Sequence, residues 1–135
     1  MLRSIVLVVS AVIVFETKAQ EPKLMRSIYF GGGSYYIDPQ QRADLIHFLD
    51  SIPDINQYNI TIHSHTDNIG GAAFNKRLSQ MRSWSAIKIM VPDYVRKEAV
   101  EIQDFGQFNP LYDNSTHIGR LKNRRVDIIF WPQSI

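Results

Sequence analysis

Asn59-Ile60-Thr61-Ile62-His63-Ser64-His65-Thr66-Asp67-Asn68-Ile69-Gly70-Gly71 passes from an alternating segment into a turn, and a long helical pattern follows it. In an extended chain Ile60, Ile62 and Ser64 fall on one face and Thr61, His63 and His65 on the other. Thr66 to Gly71 concentrates turn formers. From Ala72 to Met90 nothing breaks a helix until Pro92. Phe74, Leu78, Met81, Ser85 and Ile89 recur at helical spacing, which predicts a core-facing stripe and leaves Ser83 facing water.

The same reading extends outward. Ser27-Ile28-Tyr29-Phe30 is rich in strand formers and runs into Gly31-Gly32-Gly33, a loop or bulge whose backbone can approach a ligand closely. Asp38-Pro39 predicts a helix start, with Asp38 as cap and proline at the first helical position. Ala43, Ile46, Phe48, Leu49 and Ile52 carry that helix to Pro53. Val100–Phe105 fits a third strand, and Arg125–Trp131 a last one after a short helical turn. Strands alternating with helices predict an α/β (α+β) two-layer sandwich with one mixed sheet. Strand order is not legible.

At 135 residues the chain has room for one domain. Its start reads as an address label: Arg3, then an apolar run from Ile5 to Phe15 broken only by Ser10, then small residues at Thr17 and Ala19. Eleven helical residues span about 17 Å, roughly half of a ~30 Å hydrocarbon core. The expectation is a signal segment over 1–19, cleaved after Ala19, and one domain over 20–135. With no cysteine, neither a disulfide framework nor a thioether-linked lipid anchor is expected. Removing Arg3, Lys18 and Glu16 with the signal takes the net charge from +2 to +1, too little to attract a nucleic acid.

Two further stretches stand out by spacing. Thr66-Asp67 is followed on the helix by Asn75, Leu78-Ser79 and Arg82, which follow i, i+3, i+4, i+7 and line up on one side. Gly119-Arg120-Leu121-Lys122-Asn123-Arg124-Arg125-Val126 precedes the last strand. Together they resemble the signature of the OmpA-like (OmpA/MotB C-terminal-like) family, over about residues 26–131. The resemblance implies a βαβαβ-type domain with helices on one face of the sheet. It also implies non-catalytic binding of peptidoglycan in the periplasm, through the diaminopimelate residue of the stem peptide. On that basis Asp67 would hold the ligand's ammonium group and Arg82 its carboxylate, with Thr66, Asn75 and Arg124 lining the site.

The chemistry suits these residue types. Diaminopimelate ends in an amino-acid zwitterion, so its receptor needs an anion and a fork of donors a few ångströms apart. Arginine supplies a planar, permanently charged fork, and a turn aspartate supplies two acceptors. Their positions on the predicted helix place Asn75 and Arg82 at the border of the apolar stripe, braced by the core and reaching solvent.

Simpler roles stand beside these. Asp67 could cap the helix or close an Asx turn, and Arg120 and Arg125 could tie the fold together by ion pairs or hydrogen bonds. His63 and His65 share a strand face, a spacing that can bind metal, but His47 and His117 stand in unrelated segments, so no zinc hydrolase is expected. No nucleophile–base order or phosphate loop is present, and no cofactor is expected. Trp84, Ile87 and Val91 form a second stripe, which residues 20–25 or the C-terminus could cover. The alternative to a wall-binding function is a protein-interaction module using that stripe, and an outer-membrane or envelope protein is the partner such a chain would attach through.

Overall fold

The computed structural model describes residues 24–133. The expected signal segment and its cleavage point lie outside the described residues. The elements are β1 (Leu24–Tyr29), α1 (Pro39–Asp50), β2 (Tyr58–His65), α2 (Ala72–Met90), β3 (Val100–Gly106), α3 (His117–Asn123) and β4 (Arg125–Pro132). Among the described residues no helix is long and apolar enough to cross a membrane.

Local chemistry sets the element ends. Asp38 caps α1 by accepting from the Gln41 backbone N–H at 2.9 Å, with Pro39 at the first helical position. That bond, with others from Gln41, stabilises the charged carboxylate and holds Asp38 below the usual range. Thr116 caps α3 through the Gly119 N–H at 2.9 Å. Gly119 admits no side chain, because a Cβ there would lie 1.7 Å from the Asp113 carbonyl oxygen. Asn123 closes the same loop, donating to Tyr112 O and Asn114 Oδ1 and accepting from Tyr112 N–H.

The four strands form one mixed sheet in the order β1-β4-β2-β3. β4 is antiparallel to both β1 and β2, and β3 runs parallel to β2. The last strand in sequence therefore lies inside the sheet. Ile28, Ile60, Ile62, Val126, Ile128 and Phe130 point to one face and share a buried cluster with Leu45 and Leu49 of α1 and Ala86, Ile89 and Met90 of α2. Burying a side chain of this size stabilises the fold by roughly 1.5–3 kcal/mol.

The helical phase predicted for α2 is wrong by about 90° at 100° per residue. Leu78 and Ile89 are buried as expected, but Phe74 and Met81 are exposed. The buried face consists of Asn75, Leu78, Ser79, Arg82, Ser83, Ala86, Ile89 and Met90. Ser83, expected in water, is 2% exposed and donates to Asp104 Oδ1. The upper half of α2 buries polar groups because each finds a partner. Ser79 receives the Gly106 N–H at 3.1 Å, and Arg82 reaches three carbonyls.

Candidate functional site

The site lies where β2 ends, at the start of α2. The register of β2 against β3 slips between Ser64 and His65, and the Thr66 N–H then bonds to Gly106 O at 2.9 Å. This turns the chain so that Asp67 faces the end of α3. Asp67 Oδ1 accepts from the Ile69 N–H at 3.0 Å, an Asx turn. Its Oδ2 accepts from Arg124 Nε at 2.6 Å in an ion pair largely shielded from water. Thr66, itself buried, donates its hydroxyl to the Asp67 carbonyl at 2.8 Å.

Arg82 stands behind this pair and is 1% exposed. Its Nε donates to Ser34 O at 2.8 Å, Nη1 to His65 O at 2.9 Å and Nη2 to Gly31 O at 3.0 Å. The guanidinium also lies 5.1 Å from the Phe30 ring centroid. Burial pushes its pKa down to about 10, opposed by the negative charge of Asp67 and reinforced by the positive charge of Arg124. It stays charged at neutral pH. Arg82 thus pins the Gly31–Ser34 loop to the end of β2, at the centre of the buried helix face and not at its border.

The loop so fixed presses on Arg124: a Cβ on Gly32 would lie 3.4 Å from the Arg124 guanidinium carbon. Asp67, Arg82 and Arg124 form one electrostatic cluster of two cations and one anion, with Thr66 in its wall. Asp67 contacts Arg124, and Arg82 bonds to carbonyls. Asn75, fully buried, donates to Gln107 Oε1 at 2.9 Å, and its Oδ1 has no partner. Sequence reasoning missed Ser34 and Gln107, and it missed that Gly31 receives Arg82. Only the triple glycine signalled a close backbone approach.

The neighbouring motif residues are structural. Arg125 pairs with Asp127 at 3.0 Å, Ser27 donates to Asp127 at 2.6 Å, and Arg120 donates to Asn114 O at 3.1 Å. His63 and His65 pack around Phe105, edge-on at 5.3 Å and stacked at 5.1 Å. Burial and the Arg125 charge push the His65 pKa down to about 4, against the pull of Asp127.

The profile of the OmpA family matches residues 29–124, and the chain belongs to that family. It is 29% identical over 109 residues to outer membrane porin F of Pseudomonas fluorescens, a match covering 81% of this chain and 33% of that protein. It is 30% identical over 102 residues to the peptidoglycan-binding protein ArfA of Mycobacterium tuberculosis, covering 76% of this chain and 31% of that protein. It therefore spans about a third of either relative's length. Among solved structures, the peptidoglycan-associated lipoprotein of Burkholderia pseudomallei superposes with a TM-score of 0.66 at 27% identity, covering 78% of this chain and 89% of that one.

Proposed function

We propose that this domain works on the periplasmic side of the envelope, associated with the cell wall or outer membrane. There it binds peptidoglycan non-covalently through the diaminopimelate residue of the stem peptide, and it catalyses nothing. The observation that carries this reading is the buried cluster of Asp67, Arg82 and Arg124, whose single excess positive charge suits a zwitterion beside one more carboxylate. The ligand's ammonium group shares Asp67 with Arg124, while its carboxylate takes the Nη groups of Arg124 and the positive field of Arg82. The backbone of Gly31–Gly33 admits the ligand's aliphatic stem. Each oxygen of Asp67 accepts one hydrogen bond within the fold and keeps lone-pair capacity for the ligand's ammonium group. Kinship with a protein named for peptidoglycan binding supports the same substrate class.

Each charge-assisted bond contributes roughly 1.5–3 kcal/mol when shielded, so one stem peptide should bind in the micromolar to millimolar range. A wall offering many copies retains the domain more strongly than that. The test is co-sedimentation with purified sacculi of two kinds. Diaminopimelate-type sacculi should retain the protein. Lysine-type sacculi, which lack the second carboxylate, should release it. Equal retention by both would leave wall binding standing and remove diaminopimelate as its determinant.

A further inference from the structure

The far end of the molecule carries a feature that wall binding does not use. In the sheet order β1-β4-β2-β3, the outer edge of β3 has no strand neighbour among the described residues. Beside it runs an apolar groove of about 290 Å³, lined by Trp84, Ile87, Lys88 and Val91 from α2 and Lys97, Val100 and Ile102 from β3 and the turn before it. Trp84 is 54% exposed and Ile102 is 45% exposed, two large apolar side chains that together flank a bare strand edge. Of the segments expected to cover this stripe, the described residues lie elsewhere. Leu24 and Met25 pair with β4 on the opposite side of the sheet, and Gln133 bonds to Gln57.

The lining of the groove is cationic, with Glu98 beside Lys97 and Asp104 held by Ser83 outside it. Lys88 and Lys97 line it, no acidic side chain does, and neither lysine forms an ion pair with another described residue. Glu101 alternates to the other face of β3. Lys88 rests over the Trp84 ring, its Nζ 5.9 Å from the centroid. A second copy of this chain docking edge to edge would bring like charges together and is disfavoured. An extended segment with apolar residues on one face and carboxylates within reach of the lysines satisfies edge, groove and charge at once.

We propose that β3 and the Trp84 groove form a docking surface for an extended, apolar–acidic segment of another protein, which adds to the sheet as a fifth strand. The surface lies some 13 residues along α2 from Asn75, about 20 Å away at 1.5 Å per residue. Wall and partner can therefore be held together.

The experiment uses protein purified from the envelope and two blocked peptides of about eight residues, long enough to run beside β3 at ~3.3 Å per residue. One alternates valine with glutamate, the other valine with lysine. The glutamate peptide should shift the amide resonances of Val100 to Asp104 and the Trp84 indole, and slow exchange of the β3 amides about tenfold or more. The lysine peptide should do neither. Ile102→Lys and Trp84→Ala, both at exposed positions, should lose this response while keeping full retention on sacculi. Exchanging both lysines, Lys88→Glu with Lys97→Glu, should reverse the preference. The proposal is overturned if neither peptide acts, if both act equally, or if the β3 amides are already protected without peptide, which would assign the edge to a second copy or to the chain itself.

Discussion

Arg82 and Asp67 carry opposite charges and differ in what each holds in place. Asp67→Asn keeps the oxygen that accepts from Ile69 but sets an NH2 donor where Oδ2 accepts from Arg124, removing both the charge and that hydrogen bond. The variant should fold, with a loss of about 1–2 kcal/mol, and lose tenfold or more in sacculus retention. Thermal unfolding and co-sedimentation on the same sample check both figures, and full retention by the folded variant would remove Asp67 from the site. Arg82→Lys should behave differently. A lysine cannot serve three carbonyls in three directions, so the Gly31–Ser34 loop comes loose and stability falls by about 2–4 kcal/mol. That Thr66, Asp67, Arg82 and Arg124 gather in one cluster was legible as a spacing pattern. Their contacts were not, because Asp67 and Arg124 stand 57 positions apart and nothing local says which arginine the aspartate meets.

Helix α2 shows where periodicity misleads. Its bounds follow from the turn cluster and Pro92, and they match. Its phase does not, because a periodicity argument equates burial with apolarity. Here Ser79, Arg82 and Ser83 are buried with partners while Phe74, Met81 and Trp84 face outward. The corrected phase predicts that Ser83→Ala costs about 1 kcal/mol, by stripping Asp104 of its hydroxyl donor, and that Met81→Ala costs under ~0.5 kcal/mol. Matched urea titrations would decide, and the opposite order would restore the apolar phase. Strand β2 carries a pH-dependent element in His65, whose proton affinity folding lowers. Below about pH 6.5 the unfolded chain takes up a proton that the native one refuses until about pH 4, so stability falls as the pH falls through that interval. By pH 5 the loss should be about 1–2 kcal/mol, and His65→Gln should flatten the dependence in urea titrations between pH 7 and 5.

For the whole molecule, alternation of strands and helices announced a two-layer sandwich. Strand order stayed hidden because it depends on long-range pairing that no local signal encodes. Half of the last motif turns out to serve architecture: Gly119 and Asn123 close the loop that delivers Arg124 to Asp67. Gly119→Ala should therefore abolish folding, not merely binding, since its methyl group would collide with backbone. Circular dichroism showing a native spectrum for that variant would contradict the loop geometry.

The position of β4 has one more consequence, for the order of events as the chain is made. Strand β1 has a ladder with β4 alone, so it joins β2 and β3 in one sheet only when β4 enters between them. A nascent chain that has reached only Asn123 can pair β2 with β3 but leaves β1 outside the sheet, and Arg124 has not yet been added beside Asp67. Under the proposed function, grip on the wall therefore comes only once the final strand has been delivered.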